Sequence, residues 1–164
     1  MHRVSATEVI DTLGIAHFRG QSTFGALPDE VIVDMLENGE IWQLAKGEYI
    51  IREDEAARDF QVILQGKIAY YKHCEGHAVL TRHFAPGEQA GFDLMLGLIR
   101  HNGTDVAVQD TMMLSITSVQ FHDLHRRHPS AFGVLMINLA RELSREIEML
   151  EDVITTSTGW MPAE

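Results

Sequence analysis

Residues 60–72 read FQVILQGKIAYYK, two apolar runs rich in β-branched and aromatic side chains that meet at Gly66. Both runs have the composition of strands, and a glycine between them suits a tight turn. Similar short runs lie on either side, at residues 41–45 (IWQLA), 49–51 (YII), 78–84 (AVLTRHF), 105–109 (DVAVQ) and 111–117 (TMMLSIT). Short strands at such regular spacing are typical of a sandwich or barrel, so the centre of the chain predicts an all-β domain.

Two interruptions divide these strands. Residues 73–77 (HCEGH) have the composition of a hairpin loop in which Gly76 takes a positive φ angle, so the flanking strands are expected to pair. Pro86 and Gly87 end the next strand. The stretch that follows, residues 91–96 (GFDLML), is predicted to form one short helix.

Helical patterns flank the strands at both ends of the chain. Ser5 can cap a helix that runs to Leu13, and Pro28 opens a second helix with an acidic first turn. After Ser118 a short helical segment precedes a long one at residues 130–154. The remaining residues are mostly small and polar and are expected to form a poorly ordered tail.

The long helix carries two apolar stripes. Residues of the first stripe recur at alternating intervals of four and three, which is the pattern of a seam between helices. We expect this stripe to form a homodimer interface through Met136, Leu143, Ile147, Leu150 and Ile154. The second stripe, Phe132, Leu135 and Leu139, faces another direction and is expected to dock on the β-domain.

Composition excludes several classes of protein. The chain of 164 residues has a net charge of -11, which opposes direct binding to nucleic acid. No apolar run approaches the roughly 20 residues that a membrane span requires. Glu8 and Asp11 interrupt any secretory h-region, and the single cysteine, Cys74, fits a reducing compartment. We therefore expect a cytoplasmic protein.

Five motifs connect this order of elements with a known family. They are residues 44–50 (LAKGEYI), 60–68 (FQVILQGKI), 84–88 (FAPGE), 107–111 (AVQDT) and the helix start at 121–129. Together they resemble the cyclic-nucleotide-binding domain family, whose catabolite activator protein-like effector domains have the same order of helices and strands. The resemblance implies a mainly β fold, a jelly-roll-like β-barrel with amino-terminal helices, a short cassette helix and a long carboxyl-terminal helix.

The resemblance also divides the chain. It implies an amino-terminal helical segment (1–24), a cyclic-nucleotide-binding-like domain (25–154) that includes the dimer helix (130–154), and a poorly ordered tail (155–164). Relatives that dimerise through this helix usually continue into a DNA-binding winged helix-turn-helix, whereas this sequence stops at Glu164. Any DNA-directed output is therefore expected to belong to a partner protein.

The phosphate-binding cassette departs from the family pattern. The family uses helix amides and an arginine for the cyclic phosphate and a glutamate for the ribose. Here Phe92 stands in the glutamate position and His101 in the arginine position, while Asp93 and Arg100 each lie one position away. The resemblance assigns ligand binding to residues 91–94 and 100–104. These candidates are Gly91, Phe92, Asp93, Leu94, Arg100, His101, Asn102, Gly103 and Thr104.

Three functions remain open at this point. The first is a non-catalytic regulatory module that senses a small anionic ligand, with a cyclic nucleotide as one candidate, and moves the long helix about a hinge near Pro129. The second is a ligand-free dimerisation and protein-interaction module. The third is a cupin-like metal-dependent enzyme using His77, His83 and Glu88. The cupin motif has two histidines separated by one residue, and this sequence lacks that pair.

Neither a metal site nor a catalytic residue is predicted. The densest set of metal-binding side chains, in residues 73–77, matches no closed zinc motif and is expected to be a solvated turn. No cofactor is assigned beyond the small anionic ligand.

Overall fold

The computed structural model describes residues 1–52 and 54–157. Within them the chain forms nine strands and six helices. The strands are β1 (His2–Val4), β2 (Glu40–Leu44), β3 (Tyr49–Ile51), β4 (Asp59–Gln65), β5 (Ile68–Cys74), β6 (His77–Phe84), β7 (Gln89–Ala90), β8 (Gly103–Ala107) and β9 (Thr111–Thr117). The helices are α1 (Ala6–Leu13), α2 (Ile15–Arg19), α3 (Asp29–Asn38), α4 (Phe92–Gly97), α5 (Ser118–Arg127) and α6 (Pro129–Ser157).

The strands form two antiparallel sheets. One has five strands in the order β1-β2-β9-β4-β7, and the other has four in the order β3-β8-β5-β6. The hairpin predicted around Gly76 joins β5 to β6, with Cys74 opposite His77. This arrangement confirms the predicted jelly-roll-like fold, but the described strands form two sheets rather than one closed barrel.

In the five-stranded sheet, β4 and β9 are buried on both faces, which explains the apolar run from Val62 to Leu64 in β4. Phe60, Val62 and Leu64 face the helices and pack in the same core as residues of α3 and α6. Ile63 points to the opposite side, where it packs with Ile68 and other residues of both sheets. The polar side chains that reach this inter-sheet core form the site described below.

Gly66 makes the β4–β5 turn. Its φ angle is +94°, and a Cβ atom there would lie 2.5 Å from Thr111 Cα. The position therefore requires glycine both for its backbone angle and for space.

The amino-terminal helices belong to the main core. Ser5 caps α1 as predicted, its hydroxyl accepting from the Glu8 amide at 3.2 Å. Val9, Phe18 and Phe24 are fully buried in the cluster that also contains Leu135 of α6. Strand β1, which the sequence analysis did not predict, pairs with β2. Residues 1–24 therefore pack as part of the domain.

The long helix docks by the stripe predicted for that contact. Leu135 and Leu139 are fully buried, and Phe132 packs against the same core. The helix extends past Ile154 to Ser157, so residues 155–157 of the predicted tail are helical; residues 158–164 lie outside the described residues.

The predicted dimer stripe divides into two parts. Met136 and Leu143 are partly buried against the chain's own core. Ile147, Leu150 and Ile154 are 58%, 51% and 57% exposed. The homodimer stays a prediction. The exposed part of the stripe that could form it is confined to the carboxyl-terminal half of α6. No helix in the described part of the chain is both long enough and apolar enough to span a membrane.

Candidate ligand pocket beneath the long helix

A small cavity lies between the two sheets, next to α4 and under α6. Its volume is about 60 Å³. The residues that line it come from both sheets, from α4 and from α6: Gln61, Tyr70, Phe84, Ala90, Gly91, Asp93, Leu94, His101, Asp105 and Glu146. We call it the inner cavity. Four of the nine predicted binding residues line it, namely Gly91, Asp93, Leu94 and His101.

A wider cleft adjoins the inner cavity. Its volume is about 300 Å³, at the lower end of the range of small-molecule sites. Four residues line both spaces: Tyr70, Asp93, Leu94 and Glu146. The remaining walls of this outer cleft are Lys72, Thr81, Arg82, Ile99, Asn102, Met149 and Leu150. Because Glu146, Met149 and Leu150 belong to α6, the helix forms one wall of the cleft.

The cassette begins at Gly91, whose φ angle of +82° turns the chain from β7 into α4. The Phe92 amide donates to the Gln89 side chain at 3.0 Å, so this amide is already bound. The Phe92 side chain is 1% exposed and packs edge-to-face on Phe60 and Phe121, with ring centres 5.2 and 5.7 Å away. Phe92 therefore belongs to the helix-side core and does not line the pocket.

His101 reaches the inner cavity from the loop before β8. Its Nε2 atom is buried and has no hydrogen-bond partner among the described residues. Burial lowers the pKa of His101, and Arg52 lowers it further, while Asp59, Glu55 and Asp93 act in the opposite direction. A lowered pKa favours the neutral imidazole, so His101 does not replace the positive charge of the arginine that the family has at this position.

Asp105 was not predicted from the sequence, yet it lines the same cavity. Its Oδ1 atom is buried and has no hydrogen-bond partner within residues 1–52 and 54–157. Burial raises the pKa of Asp105 to about 6, against the opposing effect of Arg52. Strand alternation could have identified it, because Ala107, two positions later, points into the inter-sheet core.

A polar network surrounds Gln61 at the edge of the cavity. Asp59 accepts from Arg52 at 2.8 Å, from Gln61 at 3.0 Å and from Ser115 at 2.6 Å. The network pairs Arg52 with a carboxylate and fixes the side chain of Gln61, which lines the cavity.

The other predicted residues have different positions. Arg100 is exposed and donates to the Asp54 carbonyl, outside both spaces. Asn102 accepts from the Tyr70 hydroxyl at 3.0 Å and lines the outer cleft. Thr104 hydrogen-bonds His73 at 2.9 Å and lines a groove on the outer face of the four-stranded sheet.

Gly103 provides space for an aromatic wall of the pocket. A Cβ atom at this position would lie 2.4 Å from Tyr70 Cε2. The absence of a side chain therefore lets the Tyr70 ring lie against the β8 backbone, where it forms a wall of both spaces.

Arg82 is the second pocket residue that the sequence analysis missed. Its side chain is 8% exposed, and its guanidinium carbon lies 4.5 Å above the centre of the Phe84 ring. One guanidinium nitrogen is 2.6 Å from a Glu146 oxygen, and another is 4.0 Å from Glu88. Its spacing of two from the buried Phe84 could have indicated that it points inward.

The metal-binding side chains are dispersed. Glu88 accepts from the Ala85 amide at 2.8 Å, while His77 and His83 are exposed on β6. Among the described residues, no three His, Cys, Asp or Glu side chains come close enough to hold a metal ion together. The cupin-like alternative therefore has no support from this part of the chain.

Solved structures with the same fold are numerous. A cyclic nucleotide-binding domain from Methylobacillus flagellatus KT matches with a TM-score of 0.79 and 14% identity, covering 99% of this chain and 92% of that one. Thermus thermophilus catabolite activator protein matches with a TM-score of 0.66 and 21% identity, over 82% of this chain and 63% of its own.

A third structure is the regulatory subunit of a cAMP-independent protein kinase A from Trypanosoma cruzi, bound to guanosine. It matches with a TM-score of 0.66 and 18% identity, over 93% of this chain and 53% of its own. The comparison with curated proteins finds no match. The family profile described as "Cyclic nucleotide-binding domain" matches residues 41–128, more than half of the sequence. The chain therefore belongs to the cyclic nucleotide-binding domain family.

Proposed function

We propose that this chain is a non-catalytic regulatory module that senses a small ligand in the inner cavity and outer cleft. The observation that carries the proposal is the position of Glu146, which belongs to α6 and lines both spaces. A ligand that occupies the pocket must contact this helix. Binding therefore favours one position of α6 over another, which is the requirement for a sensor.

The ligand we propose is a small anion with a polar ring, and a cyclic nucleotide is one candidate. Support for the polar ring comes from His101 and Asp105, whose buried side-chain atoms face the inner cavity without partners among the described residues. Such atoms are costly to leave unpaired and are satisfied by water or by a ligand. Support for the anion comes from Lys72 and Arg82 in the outer cleft.

The charge of the inner cavity limits where an anion can bind. Asp93 and Asp105 line it, and the lowered pKa of His101 favours a neutral imidazole. A phosphate group would meet repulsion there, whereas a hydrogen-bond donor would be favoured. Guanosine, which is bound to the related Trypanosoma cruzi subunit, has such donors and no phosphate. An uncharged nucleoside is therefore included in the test.

The output we propose passes through α6. His128 separates α5 from α6, which begins at Pro129, so a small rotation there would displace the far end of the helix. In this proposal the exposed half of the stripe forms a homodimer in the cytoplasm, and a partner protein carries the output. Direct binding to nucleic acid is not part of the proposal because the net charge is -11.

A blocked-pocket variant tests the function directly. Thermal unfolding is measured with cyclic AMP, cyclic GMP, cyclic dinucleotides and guanosine, for the wild type and for Leu94→Trp. Leu94 lines both spaces, so tryptophan should fill them and remove the response. A ligand at 100 times its Kd should stabilise the wild type by about 2.7 kcal/mol.

The matched control is Leu96→Trp, because Leu96 lies on the same helix, is 51% exposed and is outside both lining sets. It should retain the wild-type response. Equal responses of the two tryptophan variants would contradict the pocket assignment. No response of the wild type to any compound would favour the second candidate, a ligand-free dimerisation module built on the exposed apolar side chains of α6.

A further inference from the structure

The contact between Arg82 and Glu146 joins the four-stranded sheet to the long helix across the outer cleft. Arg82 lies on β6 and is more than nine-tenths buried, while the Glu146 side chain is 27% exposed. A buried guanidinium requires a negative partner because the loss of its hydration is otherwise uncompensated. Here that partner is supplied by α6.

The contact is close but poorly aligned. The nitrogen–oxygen distance is 2.6 Å, yet neither this nitrogen nor Nε of Arg82 has a hydrogen bond of normal geometry to any described residue. The carboxylate thus neutralises the charge and leaves two buried donors unsatisfied. An oxyanion at the Nη1–Nη2 edge would give Nη1 a better-aligned acceptor, because guanidinium groups bind such anions in a bidentate manner at that edge.

The second acidic neighbour does not complete the site. Glu88 lies 4.0 Å from another nitrogen of Arg82, and the same Glu88 oxygen already accepts from the Ala85 amide at 2.8 Å. Lys72 is the other cation that lines the cleft, and Asp93 is its other carboxylate. Displacing Glu146 would therefore leave room for one anionic group beside Arg82, with Lys72 as the second cation of the cleft.

We propose that Arg82 is the residue that binds the anionic group of the ligand, and that Glu146 occupies this site in the ligand-free protein. An entering anion displaces Glu146, and repulsion between the two negative groups moves the carboxyl-terminal half of α6 away from the sheet. This inference rests on the proposed function and assigns its anion site to β6 instead of to the cassette. It also makes the helix the sensor's moving part.

The ligand-free contact can be tested without any ligand. Hydrogen exchange of residues 146–157 is measured in the full chain for the wild type, Glu146→Gln and Glu148→Gln. Glu148 is the matched control, because it is exposed on the same helix and loses the same charge. Glu146→Gln should exchange roughly three- to fivefold faster than the wild type, and Glu148→Gln should not change. Equal exchange in the two variants would overturn the proposal.

The displacement is tested with inorganic phosphate and with cyclic AMP, each against chloride at equal ionic strength. Either anion should accelerate exchange of residues 146–157 in the wild type and have no such effect in Glu146→Gln. The Glu146→Gln variant should also bind the effective anion several-fold more tightly, because no internal carboxylate competes with it. Arg82→Lys, which keeps the buried charge, should weaken binding because it loses the bidentate geometry.

These results separate the inference from the proposed function. Stabilisation by cyclic AMP without faster exchange of α6 would leave ligand sensing in place and overturn the displacement of Glu146. Slower hydrogen exchange of residues 146–157 in the presence of phosphate or cyclic AMP would also overturn the displacement of Glu146. Wild-type binding of an anion that is unaffected by Arg82→Lys would show that the anion lies elsewhere and would also overturn the proposal.

Discussion

His101 Nε2 and Asp105 Oδ1 line the same cavity, and neither atom has a hydrogen-bond partner among the described residues. The two groups come from one short stretch, the loop before β8 and the strand itself. Both atoms are buried because they point into the cavity between the sheets. Unpaired polar atoms at such a place reduce the stability of the fold, which is expected of a site that is completed by a ligand.

Asp105 should make stability depend on pH. Its pKa is raised to about 6 in the folded protein, against about 4 in the unfolded chain, so the folded state binds more protons between these values. The contribution of this group to stability is therefore highest below about pH 4, and it falls by roughly 3 kcal/mol as pH rises from 4 through 6. Asp105→Asn should stabilise the protein at pH 7.5 and have little effect near pH 4.

The measurement is urea unfolding of the wild type and Asp105→Asn at pH 4.2, 6.0 and 7.5. Asp152→Asn serves as the control, since Asp152 is exposed on α6 and should have no pH-dependent effect. A stability difference for Asp105→Asn that is the same at all three pH values would show that ionisation of Asp105 is not responsible.

Phe92→Glu should fail to restore a ribose-binding glutamate. The ring is buried between Phe60 and Phe121, so a carboxylate would replace a core side chain and lose both aromatic contacts. We expect a loss of about 3 to 5 kcal/mol, seen as a large fall in Tm. Asp93→Glu, at the next and exposed position, should change Tm little. A stable Phe92→Glu variant with improved cyclic AMP binding would disprove this placement.

Gly103→Ala and Gly133→Ala should have opposite effects. The new methyl group at residue 103 would collide with Tyr70, displace its ring and strain the hydrogen bond to Asn102, at a cost of about 1 to 3 kcal/mol. Gly133 lies in α6, and apart from the local backbone of the helix no atom lies within 4 Å of the place that a new methyl group would take, so alanine should stabilise the helix by about 0.5 to 1 kcal/mol. Chemical unfolding measures both values, and stabilisation by Gly103→Ala would contradict the packing of Tyr70.

Ile147→Glu should convert a homodimer into a monomer. Ile147 lies in the exposed half of the apolar stripe, and a charge there would be buried in the interface. Ile137→Glu is the control, because Ile137 is 53% exposed on the same helix but lies outside the stripe. Light scattering should give about twice 18.4 kDa for the wild type and the control, and 18.4 kDa for Ile147→Glu. A monomeric wild type would refute the dimer.

Among the described residues, the sequence by itself determined seven of the nine strands, five of the six helices and the family, while helix α2 was not predicted. Alternating apolar runs, the glycines at strand ends and the Ser5 cap act over a few residues, so their signals lie within short windows. The seven predicted strands all form, and the unpredicted ones, β1 and β7, have only three and two residues. Strands that short carry too little periodicity to be recognised.

Only the tertiary structure decided which side chains form the pocket. Arg82, Asp105 and Glu146 come from β6, β8 and α6, far apart in the chain, and they meet because the sheets face each other and the helix crosses them. It also decided that Phe92 faces the helix-side core, because Phe60 and Phe121 surround its ring there. Local patterns specify the element to which a residue belongs, whereas the packing of distant elements specifies which residues it meets.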